Sequence, residues 1–218
     1  MKPRRANQRN QALTLVEVVV VIAVLMIMAA LAMPFYAANR HWHERLDCVN
    51  NLKLINLAFQ TWAENKGNKF PMEISVVNGG AQELVAMGNT AACFQMMSNE
   101  LAKTKILHCP QETRQRAARN FTTDFSSSNI SYFIGLDANK GNTQRILSGD
   151  DNFDINGAPT KSGLLLLSTN DSVVWAKSRH FRVGNLLMVD GSVEQTTISG
   201  LMSLFQQTGL ATNRLAIP

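Results

Sequence analysis

Residues 13–33 read LTLVEVVVVIAVLMIMAALAM, an apolar run whose only charge is Glu17. About 20 residues rising about 1.5 Å each match a hydrocarbon core of about 30 Å, so the run is long enough to cross a bilayer as one helix. Lys2, Arg4, Arg5 and Arg9 precede it, and cations on the N-terminal flank place that end in the cytoplasm by the positive-inside rule. A carboxylate at mid-membrane costs about 2.5–3.5 kcal/mol, less near the interface. Glu17 therefore calls for a partner or a task, the alternative being a side chain that snorkels to the headgroups.

The residues around the carboxylate narrow the choice. Ala12-Leu13-Thr14-Leu15-Val16-Glu17 resembles the type III signal of type IV pilins and type II secretion pseudopilins, in which a small residue precedes the cut and Glu is the fifth residue after it. The resemblance places the cut between Ala12 and Leu13, where the family usually has Gly followed by Phe or Met. It also matches Pro34 to a proline that loosens the helix in many members. An ordinary secretory signal has a shorter apolar stretch of about 7–15 residues with a small-residue cut behind it. Met33-Pro34-Phe35-Tyr36-Ala37 is a weak version of such a site, and Arg4-Arg5 lacks the context of a twin-arginine signal.

Removing residues 1–12 changes the meaning of the charge. The formal +5 falls by the leader's four cations to +1, which leaves a nearly neutral body without a basic stripe and argues against a nucleic-acid partner. Beyond the span, FYAANRHWHERLDCVNNLKLINLAFQTWAENKGNKFP repeats Val49, Leu52, Ile55, Phe59 and Trp62 at helical spacing, with Arg45, Lys53 and Glu64 off that stripe. This predicts that the helix continues as an amphipathic one, with Gly67 as its stop and Pro71 beyond. A helix over residues 13–66 would be about 80 Å long. His41, His43, Glu44 and Asp47 could share a helix face as metal ligands, but His and Trp42 beside a membrane boundary read first as an interfacial belt.

About 180 residues follow the span, enough for one core. Helical patterns hold Leu84 and Met87, then Phe94, Met97 and Leu101, with Met filling core gaps; residues 111–129 read as a polar loop. Strands are expected over 130–136, 164–167, 172–176 and 185–189, with Asp190-Gly191 turning the chain into 192–194, and residues 198–207 as a last helix facing Leu201, Leu204 and Phe205 inward. The fold class is α+β: a long N-terminal helix packed on a small antiparallel head. Its parts are a leader (1–12), a transmembrane half-helix (13–35), an amphipathic half-helix (36–67) and a head (68–218).

Cys48, Cys93 and Cys109 allow one pair and one leftover thiol, or three buried thiols; none shows the C-x-x-C spacing of a zinc site. His180 stands nine residues before Asp190-Gly191, in RHFRVGNLLMVDGSVEQ, which resembles the H-X9-DG motif of pilin-like proteins abundant in planctomycete and verrucomicrobial lineages. Cys48-Val49-Asn50-Asn51-Leu52-Lys53 with Phe70-Pro71, and Cys109-Pro110 before Ser131-Tyr132, agree with it, while Ser192 stands where those proteins commonly have His. These contexts imply a Cys48–Cys109 disulfide with Cys93 free, worth about 4 kcal/mol in the chain-entropy model. The reading from chemistry alone makes His180 and Asp190 a structural hydrogen bond in the hairpin.

Asp150, Asn152, Asp154 and Asn156 alternate oxygen ligands like the start of a calcium loop, and major pseudopilins as a class carry such a site in a late loop. Ile155 stands where the turn needs glycine and Lys161 where an acid should close the loop. Nothing resembles a nucleophile elbow or P-loop. The expectation is a structural subunit, not an enzyme. The resemblance implies prepilin peptidase, further copies of the chain, minor pseudopilins and an inner-membrane assembly platform as partners, with the head in the periplasm. An anchored periplasmic binding protein that never polymerises is the alternative, and an anchored hydrolase comes third.

Overall fold

The computed structural model describes residues 14–113 and 116–218, and over 33–43 it describes the backbone alone. Ala12 and Leu13, and the side chains of Pro34, His41 and His43, therefore lie outside the described residues. The chain divides into two compact units, Met1–Trp42 and His43–Pro218. Helix α1 spans Leu15–Glu64. In the first unit its residues Leu15–Ala32 form a stretch long and apolar enough to cross a membrane. Its large apolar side chains, from Leu15 through Leu25 to Leu31, are exposed on every side, the pattern of a helix whose solvent is not water.

In the second unit α1 has an inside and an outside. Leu52, Ile55, Ala58, Phe59, Trp62 and Ala63 are buried, whereas Leu57 and Lys53 face out. That is the predicted stripe at 3.6-residue spacing, and burying each large member contributes about 1.5–3 kcal/mol. Phe59 is held edge-on by Phe70 and Phe94, with ring centroids 5.5 and 6.3 Å away. Gly67 and Asn68 then adopt left-handed φ of 65° and 59°, which ends the helical path.

Short helices α2 (Gln82–Ala86), α3 (Thr90–Met96) and α4 (Ser98–Leu101) follow. Phe94, Met97 and Leu101 fill the core as expected, but Met87 is 70% exposed, because α2 ends at Ala86 and the chain turns outward there. Among the described residues nine strands come next: β1 (Tyr132–Gly135), β2 (Ile146–Asp150), β3 (Phe153–Ile155), β4 (Ala158–Pro159), β5 (Gly163–Ser168), β6 (Val173–Trp175), β7 (Gly184–Met188), β8 (Val193–Thr196) and, after helix α5 (Ile198–Gln207), β9 (Thr212–Ile217). They form an antiparallel six-stranded sheet, β5-β9-β1-β2-β7-β8, and a three-stranded one, β4-β3-β6.

The large sheet is covered on both faces, so its central strands are buried at every position. Tyr132, Ile134, Leu147, Leu187 and Ala216 pack with α1 and the short helices. Their alternates Phe133, Leu186, Met188, Leu215 and Ile217 pack with Phe153, Trp175 and the α5 residues Leu201 and Phe205, as a period of two requires. The architecture is α+β with a long N-terminal helix and an antiparallel sheet, in agreement with the pilin-like expectation.

Candidate functional site

The chemistry of the second unit converges where α1, β2 and the β6–β7 loop meet. Cys48 projects from α1, and its thiol donates to Cys109 Sγ at 2.7 Å. Cys109 follows a 3-10 turn over Thr104–Leu107 and is held by a hydrogen bond from its own backbone N–H to Ser131 Oγ, 3.0 Å. His180 Nε2 lies 3.3 Å from Cys109 Sγ and 3.7 Å from Asp150 Oδ2. Asp150 closes β2, and its Oδ2 accepts from both the backbone N–H and the side-chain amide of Asn185, each at 2.8 Å. The cysteines and Asp150 are completely buried and His180 nearly so.

Two further groups frame this centre. Arg179 reaches Asp151, lies 3.6 Å from Glu112, and donates to the Ser131 carbonyl. Asn51, one turn along α1 from Cys48, donates to the Tyr132 hydroxyl at 3.2 Å and to the His108 carbonyl at 3.4 Å. His180, Phe181 and Arg182 have φ of 52°, 51° and 64°, three successive non-glycine residues in the left-handed region, at about 1–3 kcal/mol of strain each. The His180 N–H donates to Gln111 Oε1 at 2.9 Å, one of the contacts that hold this conformation.

The electrostatics follow from burial and contact. The hydrogen bond from Cys48, followed by the His180 contact and the nearby Arg179, holds the Cys109 thiol well below its ordinary range, against its burial. That same bond and burial push Cys48 up. Burial raises Asp150 despite the neighbouring His180 and Arg179. His180 is pulled down by burial, but its contacts with Cys109 and Asp150 outweigh this and leave it above its ordinary value. Burial alone raises Cys93, which packs in the hydrophobic core with Phe94 and Met97. The two cysteines read as a pair from their contexts are thus the two in contact. In the structure that contact is a hydrogen bond, and both cysteines are free thiols.

Two expectations need correction. His180 and Asp190 make no mutual hydrogen bond: His180 turns inward to Cys109, while Asp190 is exposed in the β7–β8 turn and its Oδ1 accepts from Ser192 N at 2.8 Å. Gly191 has φ of 88°, and a Cβ there would lie 2.7 Å from Asn56 Nδ2, so the turn is seated against α1. Nor do Asp150, Asn152, Asp154 and Asn156 form a loop around an ion. Asp150 is tied to Asn185, Asn152 donates to the Arg179 carbonyl, Asp154 sits in β3, and Asn156 bonds Asp171 and Ser172. Asp150 and Asn152 are buried, whereas Asn156 is exposed in the turn after β3 with φ of 51°, so the four side chains face different surroundings.

At the start of α1, Thr14 N and Thr14 Oγ1 both donate to Glu17 Oε2 at 2.8 Å, and Glu17 N donates back to Thr14 Oγ1 at 3.3 Å. This is a capping box, readable from Thr14-x-x-Glu17 but absent from the sequence reading above. Both bonds to the carboxylate fall on Oε2, and Oε1 takes part in neither. The carboxylate therefore stands at the mouth of an apolar helix, on its positive dipole end.

Residues 7–33 match the prokaryotic N-terminal methylation motif. No curated protein and no solved structure matches the chain at a significant level. The methylation motif supports a type IV pilin-like protein that is a substrate of prepilin peptidase. It covers the end of the leader, with Arg9, and the apolar span, and places Glu17 within the matched segment. The exposed apolar helix within it is consistent with membrane anchoring of a prepilin-like protein.

Proposed function

We propose that this chain is a pilin-like structural subunit, cut between Ala12 and Leu13 by prepilin peptidase and assembled with further copies into a periplasmic pseudopilus of a type II secretion-like system. The observation that carries the reading is the methylation motif over residues 7–33, with Glu17 fifth from the new N-terminus. After the cut, the amine of Leu13 is the nearest cation that a neighbouring copy can bring to Glu17. The pair suits a low dielectric because neither charge stays there cheaply alone. Thr14 engages only Oε2 of the carboxylate, so the cap and an ion pair through Oε1 are compatible.

In this reading the span waits in the inner membrane with its basic end in the cytoplasm and the head in the periplasm. Minor pseudopilins and the assembly platform are its partners, Leu13 carries the methyl group, and the chain acts by assembly instead of catalysis. The test is Glu17→Ala in cells. Removing the charge favours insertion, while depriving the neighbour's amine of its counter-ion costs about 3–5 kcal/mol per contact. The expected result is normal membrane content and loss of cross-linked ladders. Ladders equal to wild type would reduce Glu17 to a helix cap and leave an anchored protein that does not polymerise.

A further inference from the structure

Three remote parts of the chain deliver Cys48, Cys109 and His180 to one point, with all their ligating atoms within 4.8 Å of one another. Asp150 stands behind them, with Oδ2 3.7 Å from His180 Nε2. Its other oxygen, Oδ1, is buried without a hydrogen-bond partner. Leaving such a group unsatisfied costs about 1–3 kcal/mol, more for a charged one. A disulfide between the cysteines would answer for two of the four side chains. It would leave the inward His180, with its left-handed backbone, and the stranded Asp150 oxygen unexplained.

Nucleophilic catalysis is no better an account. Cys109 is shut off from solvent and packed against Cys48, so a substrate carbonyl cannot reach it. Both Cys109 and Asp150 approach the same ring nitrogen, Nε2, whereas a Cys-His-Asp relay needs one partner at each nitrogen.

We propose that Cys48, Cys109 and His180 form a buried site for a zinc-class divalent ion, and that Asp150 beside His180 turns in as the fourth ligand when the ion binds. Thiolate, imidazole and carboxylate are all donor types that zinc takes, and two thiolates with an imidazole supply three of the four positions of a tetrahedral site. The outer contacts are of the kind that orient ligands: Asn185 donates twice to Asp150 Oδ2 while Oδ1 has no hydrogen-bond partner, and Gln111 fixes the His180 backbone. Tetrahedral bonds of about 2.3 Å to sulfur and about 2.0 Å to nitrogen put ligand atoms roughly 3.5–3.8 Å apart. The observed S···N distance of 3.3 Å is close to that. The S···S distance of 2.7 Å has to open by about 1 Å. On binding, each ligating thiol releases its proton to solvent and the ion keeps its oxidation state. The ion would tie α1, β2 and the β6–β7 loop together.

The test uses the full chain extracted from membranes in detergent, kept reduced and anaerobic, made metal-free and titrated with Co²⁺. The expected result is a thiolate-to-cobalt charge-transfer band with tetrahedral ligand-field bands, saturating at about one ion per chain and displaced by Zn²⁺. Asp150→Asn and His180→Gln should weaken binding at least about tenfold, and Cys93→Ser should leave the band intact. The wild-type band and the Cys93→Ser control carry the result even if a ligand variant fails to fold. Absence of the band in reduced wild type, or its loss in Cys93→Ser, would overturn the proposal. So would a Cys48–Cys109 disulfide with background metal content in protein isolated without reductant.

Discussion

Gly184 shows how tightly single residues are constrained in the head. A Cβ at this position would lie 2.5 Å from the six-membered ring of Trp175, which is fully buried and donates from Nε1 to Thr196 Oγ1 at 3.1 Å. The indole cannot retreat without losing that bond and its edge contact with Phe153, 6.1 Å between centroids. Gly184→Ala should therefore destabilise the head by about 1–3 kcal/mol, the usual cost of overpacking, seen as a lower urea midpoint with unchanged slope. An unchanged midpoint would mean that the Trp175 packing is looser than described. Single residues were also where the sequence was hardest to read. Cys48, Cys109 and His180 each stood out in a motif, yet nothing in their spacing places the imidazole on the thiol, because the contact spans 71 positions. Asp150 was misread because alternate acids look alike in a loop and in a strand. Its burial depends on Asn185, 35 positions away.

At the scale of elements, legibility followed local periodicity. The amphipathic half of α1 and the final helix α5 carry their own stripe, and α5 falls over Ile198–Gln207 as expected. The β7–β8 hairpin is announced by Asp190-Gly191. Strands β2, β3, β4 and β9 are not legible in the sequence, and for β2 and β9 the structure shows why. β2 reads Ile-Leu-Ser-Gly-Asp, a poor strand sequence that is tolerated because Gly149 must clear Leu186 and Phe133, while Ser148 Oγ donates to the Phe133 carbonyl. β9 mixes Asn213 and Arg214 with apolar residues because Asn213 bonds Thr208 and Arg214 pairs with Asp137. The junction of α1 with the short helices makes a direct prediction. Phe59→Ala removes the ring between Phe70 and Phe94 and should cost about 3–5 kcal/mol, measured by denaturant unfolding. A loss below 1 kcal/mol would show that α1 is not integral to the head.

The polar connections predict the acid response. Glu83 is held below the usual carboxylate range by the Ser75 hydroxyl and the Val76 N–H, and Asp124 by the backbone N–H groups of Arg119 and Asn120. A folded value below the unfolded one means these contacts stabilise fully above the unfolded value and are lost as pH falls through the folded one. Amide exchange at Val76 and Arg119 should thus show constant protection, after correction for intrinsic rates, from pH 7 to about 5, and loosening only below about pH 4. Loosening between pH 6 and 7 would contradict these assignments.

For the whole molecule, the two units divide the tasks. Met1–Trp42 carries the methylation motif and the apolar span, and His43–Pro218 carries the packed core and the Cys-His-Asp centre. The first is legible because membrane insertion and processing are read from a linear sequence, with charge, length and one carboxylate in register. The second is legible in class but not in strand order, since β9, last in the chain, sits between β5 and β1. Everything proposed about assembly depends on one covalent event at a bond outside the described residues. Intact-mass analysis of the protein extracted from its native membranes tests it most directly. The expected result is loss of residues 1–12, an N-terminus at Leu13 and the added mass of one methyl group. A chain still beginning at Met1, or one beginning after Met33, would contradict it.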